Sequence, residues 1–188
     1  NLENLILEPV GNIPIKPDEK ILPNLKSLFM NIEEHRNTHL LPKVGSQLQS
    51  LALSGNIDGD ILETVGFDNL QNLSCYGMEI ECIKSIWKIA KRLKSIRYFK
   101  DPDENVRNDV FRTFISDLII ENAALENIHI ALTRHSTMQH SHTVFNAIEY
   151  ALFETKSILR ERYEVNIDCR LERKEDIILL ERLLNQLR

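Results

Sequence analysis

The residues best suited to chemistry in this chain are its histidines. His135, His140 and His142 lie within eight residues of one another, and two imidazoles one residue apart can chelate zinc or copper. No cysteine or carboxylate accompanies them at ligand spacing, so we interpret the segment as a solvated loop and predict no metal site. Calorimetry showing a stoichiometric site that is lost on replacing His140 and His142 would contradict this prediction.

The cysteines Cys75, Cys82 and Cys169 are too far apart for a metal-ligand or redox pair. Cys75 and Cys169 fall at apolar positions of predicted strands, where cysteine behaves as a small buried hydrophobe. We therefore predict three reduced thiols and an intracellular location, cytoplasmic or nuclear. Thiol titration of the denatured protein should find three reactive groups, and finding one would contradict the intracellular interpretation.

Other catalytic signatures do not appear in the sequence. It contains no paired carboxylates, phosphate-binding loop, nucleophile elbow or zinc-protease motif, so we predict that the protein is not an enzyme and has no cofactor. The 188 residues carry a net charge of −5, which argues against a general nucleic-acid binder. No apolar run approaches the roughly 18 residues of a membrane span, so we expect no membrane partner.

The chain is organised by a six-residue pattern, or hexad, that recurs along the sequence. Each hexad has apolar residues at its first, fourth and sixth places. Subtracting the first positions gives spacings of 23, 23, 22, 23 and 32 residues, and a seventh, weaker unit follows. The hexads are Leu2, Leu5, Leu7; Leu25, Leu28, Met30; Leu48, Leu51, Leu53; Leu70, Leu73, Cys75; Leu93, Ile96, Tyr98; Leu125, Ile128, Ile130; and Val165, Ile167 with Cys169. Each hexad predicts a short strand, and stacked units would bury a continuous core.

Alternation along a strand divides the side chains between two faces. The fourth and sixth places point into the core, so the third, fifth and seventh must project from the opposite face. The fifth-place row is Ile6, Phe29, Ala52, Ser74, Arg97, His129 and Asn166, and the seventh-place row is Glu8, Asn31, Ser54, Tyr76, Phe99, Ala131 and Asp168. Asn72 begins an Asn-Leu-Ser glycosylation acceptor, which we interpret as accidental because it lies on a predicted strand.

The predicted binding residues come from these two rows. Aromatic residues and arginine anchor protein interfaces, whereas Ala52 and Ser54 would leave a shallow trough. The selected residues are Phe29, Asn31, Ser74, Tyr76, Arg97, Phe99, His129 and Asp168. Replacing Tyr76 and Phe99 with Ser is expected to weaken partner binding by about 2 kcal/mol or more. The alternative is that these aromatics pack on each other or on another segment.

Segments between the strands show helical patterns. Asp58 or Asp60 can cap a short helix with Ile61, Leu62 and Val65, and Asn56 is expected to bond backbone groups where the third strand turns away. Residues 79–92 predict a helix in which Trp87 packs inside. Three further helices are predicted: one starting at 101–103 with a stripe from Val106 and Val110 to Ile119, one over 143–161, and one over 174–188.

Irregular hexads, outer helices and the absence of cysteine caps resemble the intracellular leucine-rich repeat proteins of the F-box type. The resemblance implies an α/β fold: a curved solenoid with short parallel strands on its concave face and helices and loops on its convex face. It also implies one domain over 1–188 of about seven irregular repeats that binds a protein partner on the concave face. Members of this type join a ubiquitin ligase through an F-box and a Skp1-type adaptor.

Two other classes stay open at this stage. One is a secreted recognition receptor of innate immunity, which predicts disulfide caps and a signal peptide. The other is a scaffold or regulatory repeat protein without a ligase link. Because the chain begins inside a repeat, we expect it to be a fragment, and the upstream sequence would discriminate among these classes.

Overall fold

The computed structural model describes residues 2–7, 22–32, 38–100, 108–121, 124–132 and 166–170. The chain forms two compact units, Asn1–Ile96 and Arg97–Arg188. Within the described residues the architecture is α/β, with parallel strands and intervening helices. The prediction that the units form one domain stays a prediction. No helix among the described residues is both long and apolar enough to cross a membrane.

The strands begin two residues after the leading apolar residue of each of the first six hexads, as the pattern predicts. Their bounds are β1 Asn4–Leu7, β2 Ser27–Asn31, β3 Ser50–Ser54, β4 Asn72–Tyr76, β5 Ser95–Lys100, β6 Asn127–Leu132 and β7 Asn166–Arg170. The helices are α1 Leu41–Val44, α2 Gly59–Glu63, α3 Ile80–Ile89 and α4 Asn108–Glu121, with 3₁₀ helices at Thr38–Leu40 and Gly45–Gln47.

The first unit contains four parallel strands in register. Leu5, Leu28, Leu51 and Leu73 are successive partners across β1 to β4, and Ile6, Phe29, Ala52 and Ser74 form the next row. This register confirms the fourth-place and fifth-place rows predicted for these strands. Equivalent positions align because the strand and its return segment together have nearly the same length in each of these repeats.

Burial follows the predicted alternation. The fourth and sixth places of β2, β3 and β4 are fully buried, while the third, fifth and seventh are exposed or half-buried. In the first hexad, Leu5 at the fourth place is only half-buried, against its predicted core position, and the leading Leu2 is 46% exposed. Among the described strands of this unit, β1 pairs with β2 alone, so the first hexad has a neighbouring strand on one side only.

A backbone motif at the second hexad place joins successive repeats. One carbonyl oxygen accepts hydrogen bonds from two consecutive N–H groups of the next repeat, at 2.8 to 3.0 Å. The Glu3 carbonyl accepts from Lys26 and Ser27, the Lys26 carbonyl from Gln49 and Ser50, the Gln49 carbonyl from Gln71 and Asn72, and the Gln71 carbonyl from Lys94 and Ser95. These bonds fix the strand starts at one edge and so hold the register.

Strand ends are also similar between repeats. Gly55 after β3 and Gly77 after β4 occupy equivalent places, with φ of 87° and 63°. These angles are favourable for glycine because it has no Cβ to clash with the backbone. The chain therefore leaves both strands in the same direction and enters a helical return segment.

The described return segments after β2, β3 and β4 contain helices, whose buried residues face the strands. Asp58 caps α2, since its side chain accepts a hydrogen bond from the Asp60 N–H, which confirms one of the two caps predicted. In α3 the buried residues are Ile80, Ile83, Ile86 and Trp87, so the prediction that Trp87 packs inside is confirmed. The core of the first unit lies between these helical faces and the strands.

Asn56 bonds a backbone group, as the sequence predicted, but that group belongs to the next repeat. Its Oδ1 atom accepts a hydrogen bond from the Glu79 N–H at 2.7 Å, directly before α3. Replacing Asn56 with Ala should lower the free energy of unfolding by about 1 kcal/mol, because one backbone donor at the start of the helix loses its partner. Urea unfolding measures the change. Asn56→Asp is the matched control, since it retains an acceptor, and equal losses in both variants would contradict this role.

The second unit contains α4 and the pair β6–β7. Phe114, Ile115, Leu118 and Ile119 are buried in α4, as the stripe predicts, whereas Val110 is 37% exposed and was wrongly assigned to the buried stripe. Val110 lies in the first described turn of α4, and periodicity does not specify how far the covering neighbours extend along a helix. The proposed helix start at 101–103 and the helices over 143–161 and 174–188 lie outside the described residues.

The register of β7 corrects one residue in each of the two predicted rows. Asp168 is the partner of His129, and Asn166 is the partner of Asn127, so both residues sit two places earlier in the hexad than predicted. The seventh hexad lacks a leading leucine, and alternation by itself cannot fix a two-residue offset. The offset preserves strand parity but moves Asp168 into the fifth-place row.

Candidate functional site

The candidate site of the first unit is the exposed face of β1–β4. Every residue on it is placed by strand alternation, which sends its neighbours in sequence into the core. Ile6 is 68% exposed, Tyr76 is exposed, and Phe29 and Asn31 are half-buried. This face therefore presents the four predicted residues Phe29, Asn31, Ser74 and Tyr76, while Glu8, predicted in the same rows, lies outside the described residues.

Two aromatic rings meet on this face. Phe29 on β2 and Tyr76 on β4 have ring centroids 6.1 Å apart in an edge-to-face arrangement. Strands two steps apart are separated by roughly 9.6 Å, so the rings lean toward each other across β3. Ala52 and Ser54 on β3 are small enough to permit this approach. The rings thus bridge the open trough that was expected above the third repeat.

The remaining predicted residues belong to the second unit. Arg97 is exposed on β5, and Phe99 and His129 are half-buried. The Phe99 and His129 rings contact each other, with centroids 5.7 Å apart and planes tilted by 49°. Asp168 is placed by the backbone register opposite His129. Within this unit the structure therefore brings Phe99, His129 and the Asp168 position to neighbouring strands.

The fifth-place and seventh-place rows do not include a third line of residues on the exposed face. Asn4, Ser27, Ser50 and Asn72 occupy the third hexad place and are successive register partners across β1 to β4. The Asn72 side-chain amide donates a hydrogen bond to Ser50 Oγ at 3.1 Å. Alternation predicts the third place on this face, because it shares its parity with the fifth and seventh, but the candidate binding residues were taken from the other two rows only.

The first unit also places two cysteines on the opposite side of the sheet from this face. Cys75 is buried at the sixth place of its hexad, and Cys82 on α3 is half-buried with its thiol donating to the Ile57 carbonyl at 3.1 Å. Burial raises the pKa of the Cys75 thiol far above its ordinary range. Burial also raises the pKa of Cys82; the hydrogen bond with the Ile57 backbone opposes this rise, while the nearby Glu79 and Asp58 add to it.

The Cys75 thiol should make stability depend on alkaline pH. Its folded pKa is raised, so its stabilising contribution is complete below the unfolded pKa near ~8.5 and is lost as pH rises toward the folded value. The loss should be about 1.4 kcal/mol per pH unit in that window. Comparing urea unfolding of the wild type and Cys75→Ala from neutral to alkaline pH isolates this slope. Parallel pH profiles would contradict a buried neutral thiol.

No group of three metal-binding side chains occurs among the residues that the structure describes. His135, His140 and His142 lie outside them, so their predicted lack of specific metal binding stays a prediction. The Cys169 side chain is also outside the description, although its backbone lies in β7 opposite Ile130.

No protein-family model, curated protein or solved structure matches this chain. Functional conclusions therefore depend on the exposed face and its chemistry.

Proposed function

We propose that the chain is a leucine-rich repeat solenoid that binds a protein partner on the exposed face of its strands. The observation that carries this proposal is the open face of the parallel sheet in the first unit. Parallel sheets are normally covered on both faces. Here the described helices α1, α2 and α3 lie on the inward side, and the opposite face of β1–β4 exposes Ile6 and Tyr76 to solvent.

Two features support the repeat architecture. Strands β1 to β4 start 23, 23 and 22 residues apart, are parallel and align equivalent places. The paired hydrogen bonds at the second place recur between each of these repeats and the next. Repeats of this length with one strand and a helical return are typical of leucine-rich repeat solenoids.

Exposed apolar residues favour binding over a purely structural role for this face. Single surface hydrophobics are common, but here Ile6 and Tyr76 are exposed and Phe29 is half-buried on the same face, with Phe29 and Tyr76 in ring contact. Aromatic residues of this kind contribute strongly to protein interfaces because they bury a large area with few rotatable bonds.

A photocrosslinking experiment tests the binding face. A benzophenone amino acid at Ser74, on the exposed face, should form adducts with a partner protein in the native cell. The same amino acid at Ser85, on the exposed surface of α3, is the matched control. The captured protein is then purified and titrated against the chain. Adducts from Ser85 alone, or a captured protein that does not bind in titration, would contradict the proposal.

Replacing both Phe29 and Tyr76 with Ser should weaken binding of that purified partner by about 2 kcal/mol or more. The aromatic contact itself is worth only about 0.5–1.5 kcal/mol of fold stability, so the variant should remain folded. Titration calorimetry measures the affinity, and Ser85→Ala serves as control. Unchanged affinity in a folded double variant would exclude these rings as binding residues.

The resemblance to F-box-type repeats adds a finer proposal. The bound protein is then a ubiquitination substrate, and a Skp1-type adaptor binds elsewhere in the full-length protein, within a reducing cellular compartment. Depleting the adaptor should raise the cellular level of the crosslinked protein. An unchanged level, together with retained crosslinking at Ser74, would favour a scaffold role without a ligase.

A further inference from the structure

The exposed face of β1–β4 lacks ionised side chains throughout its described strands. Eleven residues point to it: Asn4, Ile6, Ser27, Phe29, Asn31, Ser50, Ala52, Ser54, Asn72, Ser74 and Tyr76. Since 27% of the chain is charged, average composition would place about three charges among them. The missing charge is therefore a property of this face and not of the chain.

Charged side chains do occur next to the face, at two of its four strand starts. Glu3 and Lys26 occupy the second hexad place, directly before the third-place residues, and their side chains pair at 3.1 Å. Lys94 occupies the same place before β5. Because parallel strands all start at one edge, these charges border the face and do not enter it.

The third-place line forms a ladder of hydrogen-bonding groups across the face. Asn4, Ser27, Ser50 and Asn72 are aligned by the register, and Asn72 already donates to Ser50. Hydroxyl and amide groups both donate and accept hydrogen bonds. The ladder can therefore pair with the backbone N–H and C=O groups of a bound chain, or with side-chain amides and hydroxyls.

The apolar residues Ile6, Phe29 and Tyr76 run beside this ladder. A surface of tyrosine, serine and asparagine has the composition of antibody combining sites, where rigid aromatics provide contact area and small polar residues provide adaptable hydrogen bonds. This combination favours a protein partner that offers an apolar anchor beside uncharged polar groups.

We propose that the partner presents an uncharged segment to this face, rich in Ser, Thr, Asn or Gln and containing at least one apolar anchor. The inference rests on the proposed function and specifies its partner. A lysine or carboxylate of the partner buried here would lose its hydration without meeting an opposite charge, and an unpaired buried charge is strongly unfavourable. The face thereby discriminates against charged segments, and its binding should depend little on salt.

Selection of random twelve-residue peptides displayed on phage, using the whole chain as bait, tests this inference. Face-dependent peptides are those that bind the wild type and fail to bind the Phe29→Ser, Tyr76→Ser double variant. We expect them to contain charged residues at least threefold less often than the starting library. For synthetic versions of these peptides, the Kd should differ by less than twofold between low and high NaCl concentration.

A substitution in the hydrogen-bonding ladder gives a second test of the inference. Asn72→Asp adds one negative charge at nearly constant shape, and the Ser50 hydroxyl can still bond the new side chain. This variant should raise the Kd of the uncharged peptides about tenfold, since the new carboxylate must be desolvated when a peptide binds. Ser85→Asp adds the same charge on α3 and should leave Kd unchanged.

The outcomes separate the inference from the proposed function. Face-dependent peptides that are charged, or that lose affinity steeply with salt, overturn the uncharged partner and leave the binding face standing. Peptide binding that never depends on Phe29 and Tyr76, or binding to neutral oligosaccharides without any peptide selection, overturns both. Uncharged, salt-independent and face-dependent peptides support both.

Discussion

Replacing Trp87 with Ala should lower the free energy of unfolding by about 3–5 kcal/mol. Trp87 is 3% exposed and lies on the buried side of α3 with Ile83 and Ile86. Truncation removes the transfer free energy of the indole and leaves a cavity that the rigid sheet cannot fill by collapsing. We expect urea unfolding followed by far-UV circular dichroism to show a markedly lower midpoint.

The conservative variant Trp87→Phe shows whether the stability depends on the packing of an aromatic ring or on the indole group specifically. It retains an aromatic ring and should be destabilised by clearly less than the alanine variant. Peptides or partners that bind the exposed face should retain their affinity for folded Trp87→Phe, because α3 covers the other side of the strands. A stability change below ~0.5 kcal/mol for Trp87→Ala would show that the side chain is a surface residue.

Replacing Leu51 with Ala should lower the free energy of unfolding by about 2–5 kcal/mol. Leu51 is 1% exposed in β3, which has a paired strand on either side. Its fourth-place side chain points into the core between strands and helices. The same measurement by urea unfolding gives the loss.

Ser54→Ala provides the matched control for this strand. Ser54 lies three residues later on the opposite, exposed face and is half-buried. Its replacement should change stability by no more than about 0.5 kcal/mol. A large loss for Ser54→Ala together with a small loss for Leu51→Ala would mean that the two faces had been assigned in reverse.

Much of the first unit could be predicted from sequence because its signals are local. Strand parity follows from an apolar residue at every second place, so the burial of Leu51 and Leu53 required no knowledge of their neighbours. The near-constant repeat length then predicted the register of β1 to β4, which the structure confirms. Asp58 also fulfilled its predicted capping role, which depends on the backbone two residues away, whereas the backbone partner of Asn56 lies 23 residues away in the next repeat.

Predictions failed where the local signal was incomplete. The seventh hexad lacks its leading leucine, so parity was correct and the register of Asp168 was wrong by two residues. Leu2 and Val110 fit the apolar pattern yet are exposed. Apolar periodicity indicates which side of an element faces inward, but burial also requires a neighbour at that position.

For the candidate site, the sequence by itself determined which residues share the exposed face, because alternation along a strand is set by backbone geometry. Tertiary structure decided how they meet: Phe29 and Tyr76 belong to strands separated by β3, and only the assembled sheet brings their rings to 6.1 Å. It likewise placed Asn72 within hydrogen-bonding distance of Ser50. Contacts across strands depend on the spacing and register of the sheet, which no single strand encodes.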